Sequence, residues 1–592
     1  MKQFMKLSIA VVFGLLLWAV IKVFLFFGLI GLIGSAASGV SSSKSTAKAG
    51  SVYELELRGA VVEYQDEKDR MTASLMSALD EDQYAIFGLN EILANIREAK
   101  TNPKIEGIYL HGGSMQMGYA TAQALREALT DFRESGKFVV AYADSYGQAN
   151  YYVATAADSL FINPSGSLSW QGLGVNIEFY TKLLEKLGVE MQVVKVGTFK
   201  SAVEPYMLTK MSEPNKLQYN TLLGDIWQKM SSDVSSSRDI ALEQLNALAD
   251  KNMLLQPQDE YVQTHLVDGL CYSQDMDALL TKLTGTDDYE LLDYDDMASI
   301  RNTKVLSKPN LAVLYAEGAI SDAGQDGIIG KKMVETIDEI AEDDNIQAVV
   351  FRVNSPGGSA YASEQINHAI ALLKEKKPVV VSMGDYAASG GYYISCNANY
   401  IYAEPTTLTG SIGIFGLIPN VKKLTDKVGL SIDGVETHQH SNLETDIVMR
   451  GMTAQERDML QAEINRGYEL FTRRCAEGRG ISQDEIKKIG EGRVWSGVRA
   501  KEIGLVDELG SLQDALAKAA ELAELEDYEV AEYPEPEDLW EKMMKSFKMS
   551  TQMEAWVTRI LGSERYQMIC DLENMQAKPS IQARLPYFIE IK

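Results

Sequence analysis

The sequence predicts an α/β protein built from two tandem copies of one layered unit, preceded by a membrane-spanning helix. Three observations carry this. Short apolar runs rich in β-branched residues alternate with segments of helical periodicity, the pattern of sheets covered by helices. Landmarks recur at a fixed spacing: Asp144 and Asp385, Tyr151 and Tyr392, Ile105 and Ile346, and Gly188 and Gly429 all stand 241 residues apart. Such a period marks an internal repeat. Finally, residues 7–33 are almost continuously apolar, broken by Lys22 and small residues.

That first run exceeds the core of a cleaved signal peptide, about 7–15 residues, and reaches the roughly 20 residues needed to span a bilayer. It reads as an uncleaved anchor, with Lys2 and Lys6 before it favouring a body on the outer side. Lys44 and Lys48 behind it pull the other way. Small residues at 35–50 form a tether between the anchor (1–34) and the body.

The first unit covers 51–300. Residues 52–62 alternate like a strand, 88–98 carry an apolar helical face, 105–110 form a second strand, and 121–132 a helix before the strand 137–143. The second unit covers 308–525, with strands expected over 311–320, 346–353 and 378–383. Residues 526–592 form an extension, acidic at first, with amphipathic helices expected over 540–549 and 553–560 and no second apolar span.

Composition narrows the function. A net charge of −27 and a pI near 4.7 argue against nucleic acid as a partner and against docking of the body on an anionic membrane surface. Cys271, Cys396, Cys475 and Cys570 are far apart and form no zinc pattern, and His438 and His440 sit in a loop sequence with no ligand cluster nearby. No metal or other cofactor is expected.

The chemistry lies where the copies differ. In the second copy the apolar run 378–383 enters Gly384-Asp385-Tyr386-Ala387-Ala388-Ser389-Gly390-Gly391-Tyr392-Tyr393, which places Ser389 at a strand-to-helix turn. A helix N-terminus there would favour a developing anion. The first copy has Gln148 in place of Ser389, and Gln116-Met117 in place of Gly357-Gly358. Conversely, Lys200 of the first copy corresponds to Ser441 of the second. Each half holds what the other lacks, as expected of one site assembled across two repeats.

A serine needs a base, and a lysine desolvated among apolar residues such as Val193, Val194, Val196 and Phe199 can be one. The backbone N–H groups of Gly358 and Gly390, with Gly357 as a further donor, suit an oxyanion hole. Ser411, whose counterpart is Trp170, can orient the lysine, and Ile412, Ile414 and Phe415 can continue as an edge for an extended peptide. Taken singly, each feature also has a plain reading: a tight turn at Ser389 and at Gly357-Gly358, a surface lysine at Lys200, a turn serine at Ser411.

Together, the segments 384–393, 408–416, 197–205 and 354–359 resemble the long, two-repeat signal peptide peptidases of peptidase family S49. The resemblance extends from the anchor to about residue 525. It implies a Clp/crotonase-like fold for each repeat, Ser389 as nucleophile, Lys200 as general base and Ser411 in contact with that lysine. It also implies a homotetramer whose sites face a cavity outside the cytoplasmic membrane, where hydrophobic remnant signal peptides are degraded. Two other readings share the α/β repeat: an acyl-CoA enzyme of the crotonase type, and a membrane scaffold of peptidase fold without activity. The anchor, Ser389 and the cross-repeat Lys200 weigh against the first; Ser389, Lys200, Gly357 and Gly358 together weigh against the second.

Overall fold

The computed structural model describes residues 46–66, 70, 85–301, 308–324, 326–534 and 582–584. The apolar run 7–33 and the segments 540–549 and 553–560 lie outside these. Among the described residues no helix is long and apolar enough to cross a membrane.

Each unit is built on a largely parallel sheet flanked by helices. In the first unit, Ser51–Glu56, Ile105–His111, Phe138–Ala143 and Ser159–Ile162 are neighbouring parallel strands, with Leu291–Leu292 and Gly269–Leu270 at the two edges. In the second, Leu311–Glu317, Ala348–Ser355 and Val379–Ala388 form the parallel core. Tyr400–Ala403 and Leu408–Gly410 both pair with Val379–Ala388, along different stretches of it. Strands buried on both faces read as continuous apolar runs, and Val379, Val380 and Val381 are such a run with no exposure at all.

The expected first strands of both units are each cut short. Residues 52–62 divide into Ser51–Glu56 and Ala60–Val62, and residues 311–320 into Leu311–Glu317 and Ile320–Ser321. The break falls at Gly59 (φ 69°) in one and Gly318 (φ 95°) in the other, left-handed backbone that glycine adopts without a Cβ penalty. The second unit's sheet also runs past residue 525: Val530–Tyr533 is an edge strand parallel to Leu311–Glu317.

The 241-residue spacing is reproduced in three dimensions. The helices Glu213–Arg238 and Ala454–Arg479 are both 26 residues long, capped by Ser212 and Thr453 and ended by left-handed Asp239 and Gly480. Tyr151 donates its hydroxyl to the Leu266 carbonyl, as Tyr392 does to that of Leu505. Lys137 and Lys377 cap the same preceding turn through paired carbonyls but are only 240 apart. One residue is therefore lost and regained around the third strand.

The units are not separate bodies. Glu190–Lys195 of the first pairs antiparallel with Phe415–Asn420 of the second. Ala388, Leu408 and Val494 of the second unit belong to the first unit's core, while Val194 of the first belongs to the second's. A third sheet runs through this junction in the order Ile328–Ile329, Ile320–Ser321, Gly357–Ser359, Gln582–Arg584, Phe415–Asn420, Glu190–Lys195. A strand from the C-terminal extension thus sits between two strands of the second unit. Sequence reasoning expected amphipathic helices in that extension and placed no strand in it.

Candidate active site

Ser389 follows the strand Val379–Ala388 and stands at the N-cap position of the helix Gly390–Ser395, the strand-to-helix turn that the sequence leads one to expect. Its backbone lies at φ 57°, ψ −113°, a conformation non-glycine residues seldom adopt and which sharp nucleophile turns exploit. The turn is held by Ser389 N donating to the Gly410 carbonyl (2.7 Å) and by Tyr393 N donating to that of Ser389 (2.8 Å). Glycine at 391 is required because a Cβ there would lie 2.5 Å from the Ser355 carbonyl oxygen.

Lys200 arrives from the other unit, between the strand Glu190–Lys195 and a single 3-10 turn, Ser201–Val203. Its Nζ is 2.8 Å from Ser389 Oγ, 3.1 Å from Ser411 Oγ and 3.1 Å from the Ser411 carbonyl oxygen. Ser411, like Ser389, has positive φ (53°). The three side chains that sequence reasoning drew from two repeats therefore meet in one place. Ser389 and Lys200 are 0% and 1% exposed. Burial holds the Lys200 amine well below the ordinary lysine range, with no acidic partner to oppose it.

This geometry suits a neutral amine. Nζ then carries two hydrogens and one lone pair. The two Ser411 oxygens accept the hydrogens, and the lone pair is left to receive the Ser389 hydroxyl proton. Ser411 Oγ is fixed in turn by donating to the Gly492 carbonyl (3.4 Å), and Ser411 N donates to the Arg493 carbonyl (2.7 Å).

Gly357 (φ 94°) and Gly358 form the strand Gly357–Ser359 next to the Ser389 turn. Gly357 N donates to Ser355 Oγ at 3.2 Å, whereas the Gly358 Cα faces the Ile320 backbone so closely that a Cβ would sit 1.9 Å from its oxygen. Gly390 is the first residue of its helix, where a backbone N–H has no partner within the helix.

The first copy's equivalent place is closed. Gln148, at the position of Ser389, donates to the Gly172 carbonyl and accepts from Gln171 N. Trp170, at the position of Ser411, is fully buried against Tyr151 and Trp227. Ser441, at the position of Lys200, is exposed.

Sequence reasoning missed the loop Glu491-Gly492-Arg493. Phe199 N donates to the Glu491 carbonyl, and a Cβ on Gly492 (φ 75°) would lie 2.6 Å from Lys200 Cβ. Gly413 closes the other side, with a built Cβ 3.3 Å from Lys200 Cδ. Nothing in the sequence near Lys200 points to a loop almost three hundred positions later. It also left Asp385 as a repeat landmark, whereas the Asp385 carboxylate accepts from Ala120 N (2.8 Å) and Thr121 N (3.1 Å) of the first unit.

Comparisons with known proteins identify the family. Peptidase family S49 matches residues 131–287 and 371–526, one stretch in each repeat. The chain is 35% identical to "Protease 4" of Salmonella typhi over 546 residues, covering 89% of this chain and 87% of that protein. It is 34% identical to "Protease 4" of Haemophilus influenzae, covering 83% and 82%. It is 29% identical to "Serine protease SPPA, chloroplastic" of Arabidopsis thaliana, covering 80% and 70%. A solved ClpP1 chain of Listeria monocytogenes covers 34% of this chain and 94% of its own at 20% identity, with a TM-score of 0.24, too low a likeness to bear on the fold. Family match and long relatives coincide on both repeats: the chain belongs to peptidase family S49 and is a serine-type peptidase.

Proposed function

We propose that the protein is an endopeptidase working through a serine–lysine dyad, Ser389 and Lys200, on hydrophobic peptides, chiefly spent signal peptides. The observation that carries this is the 2.8 Å approach of a buried lysine amine from one repeat to the hydroxyl of a positive-φ serine from the other. Lys200 takes the hydroxyl proton as Ser389 Oγ attacks the scissile carbonyl. It returns that proton to the leaving amine, giving an acyl-enzyme on Ser389 that water then hydrolyses. Gly358 and Gly390 N–H, with Gly357 beside them, stabilise the oxyanion. Ser411 orients the amine.

The substrate lies as an extended strand beside Gly357–Ser359 and Phe415–Asn420, its backbone paired as in β-augmentation and its side chains sorted by alternate pockets. The choice of signal peptides draws support from a relative in Enterococcus faecium named "Putative signal peptide peptidase SppA", 30% identical over 235 residues, which covers 38% of this chain. With residues 7–33 as anchor, the body works on the outer face of the cytoplasmic membrane, as a homotetramer of Clp/crotonase-like repeats.

The test is hydrolysis of a hydrophobic signal-peptide mimic by the full chain in detergent, comparing the parent with Ser389→Ala and Lys200→Ala. Both variants are expected to stay folded by circular dichroism and to lose nearly all turnover. Substantial activity in Lys200→Ala alone would place the base elsewhere.

A further inference from the structure

We infer that Gln218 is a positioning residue for Lys200: its buried amide ties the turn that carries the lysine to the loop of the other repeat that packs against it. This rests on the proposed role of Lys200 as the base. Gln218 lies in the first unit's long helix, Glu213–Arg238. Its Nε2 donates to Ser201 Oγ and to Asn215 Oδ1, both at 2.9 Å, and lies 3.5 Å from the Phe199 carbonyl oxygen. Its Oε1 accepts from Val494 N at 3.3 Å. One side chain therefore reaches the residues on either side of Lys200 and, across the repeat boundary, the residue after Arg493. That loop is what encloses the lysine. Gly492 packs on Lys200 Cβ, and the Gly492 and Arg493 carbonyls hold Ser411. A shift of turn or loop would move the amine and its Ser411 acceptors relative to Ser389 Oγ.

The amide is itself held from behind. Asn215 Nδ2 donates to Glu204 at 2.9 Å, and Glu204 also accepts from Ser212 Oγ at 2.5 Å and Ser212 N at 3.1 Å. Ser201, Glu204, Asn215 and Gln218 are all buried. Burying such groups is costly unless they are bonded, and a bonded network fixes one arrangement. Its one charged member, Glu204, spends its oxygens on Ser212 and Asn215, and the Lys195 ammonium reaches the Lys200 carbonyl at 3.4 Å, not the amine. The repeat again supplies a control. In the second copy's helix, Ala454–Arg479, the position of Gln218 is taken by Met459, 43% exposed, and that of Asn215 by Glu456, which pairs with Arg450. The amide thus goes with the lysine and not with the helix.

The test is hydrolysis of a hydrophobic signal-peptide mimic across pH by the full chain in detergent. It compares the parent with Lys200→Ala, Gln218→Met, Ser201→Ala and the double variant of the last two. Gln218→Met gives the first copy the residue that the second has, similar in length but without the amide. Expected is a kcat lower by about ten- to a hundredfold with KM within about twofold, because bound substrate meets a displaced base. The acidic limb of kcat/KM should also move to higher pH, since a looser turn admits water and lets the amine regain basicity. Adding Ser201→Ala to Gln218→Met should lower kcat no further, the two acting as one unit. Parent-like kcat and limb in Gln218→Met, whatever its melting temperature, overturn the inference while leaving Lys200 as the base. A fall in kcat with the limb unmoved and the double variant additive is a packing defect and overturns it too. If Gln218→Met does not fold, Ser201→Ala decides: a limb at the parent's position overturns the inference and a limb at higher pH upholds it. Turnover retained by Lys200→Ala overturns the reading of the base, and the inference with it, which sets that failure apart from the others.

Discussion

Asp385 caps a helix of the opposite repeat through Thr121. The helix Tyr119–Arg133 begins after Gly118, whose missing side chain offers no cap of its own. Asp385, four residues before Ser389, supplies it: the carboxylate accepts from Ala120 N, from Thr121 N and, at 2.6 Å, from Thr121 Oγ1. A Cβ at Gly118 would lie 2.2 Å from Asp385 Cγ, so the absent side chain is what admits the carboxylate. The strand leading to Ser389 is thereby pinned to the unit carrying Lys200.

Removing that pin should cost stability and alignment together. Asp385→Ala is expected to lower unfolding free energy by about 1–2 kcal/mol, the range for a lost cap, and to reduce kcat more than it raises KM. Asp385→Asn keeps one acceptor oxygen and should recover part of both. Urea denaturation and steady-state kinetics on the same preparations measure the two effects.

The depressed basicity of Lys200 has two consequences of known sign. As a base it works neutral, so kcat/KM should fall as pH drops through the lowered value, and Lys200→Met should abolish the activity that shows this limb. For stability, the unfolded lysine binds a proton that the buried amine does not, so the unfolded state holds more protons between the two values. Stability of the parent should therefore rise with pH towards the ordinary lysine value of about 10.4. Lys200→Met should lack that slope and be the more stable protein near neutrality, which thermal melts across pH check.

Ser411 combines a hydroxyl with a left-handed backbone, and two substitutions separate these. Ser411→Gly keeps the backbone and loses the hydroxyl, whereas Ser411→Ala loses the hydroxyl and retains a Cβ at φ 53°. If orientation of Lys200 is the hydroxyl's task, both should lower kcat by up to about a hundredfold, the scale of a misplaced reacting group. Only a backbone role would let Ser411→Gly keep parental turnover. Single-turnover rates on a chromogenic peptide distinguish the two.

A buried ion pair also bridges the repeats. Arg352 Nε donates to Glu63 at 2.8 Å, with the two side chains 2% and 3% exposed. Glu63→Met should destabilise by roughly 3–5 kcal/mol, because it leaves the guanidinium buried without its counter-charge. Glu63→Met combined with Arg352→Met should recover most of the loss. Denaturant midpoints of the two single variants and the double variant measure this.

The meeting of Ser389 with Lys200 was legible in the sequence because duplication supplies its own control: the two residues stand out only against Gln148 and Ser441. The α/β alternation was legible because strands buried on both faces leave unbroken apolar runs, as at Val379–Val381. The interruptions at Gly59 and Gly318 were not, since a single glycine weakens a strand pattern without erasing it. Contacts between distant loops were not legible either. Gly492 owes its identity to a lysine from the other repeat, and the partners of Asp385 lie on a helix some 265 positions away. Short strands such as Gln582–Arg584 have too few residues for any periodicity, and their place is set by a groove that only the folded units create.

The separation of Ser389 and Lys200 between repeats also bears on how the protein is made. Lys200 precedes Ser389 by 189 residues. A chain emerging from the ribosome therefore presents Lys200 long before Ser389, and neither repeat alone holds both. Their contact forms only once synthesis has passed the second unit.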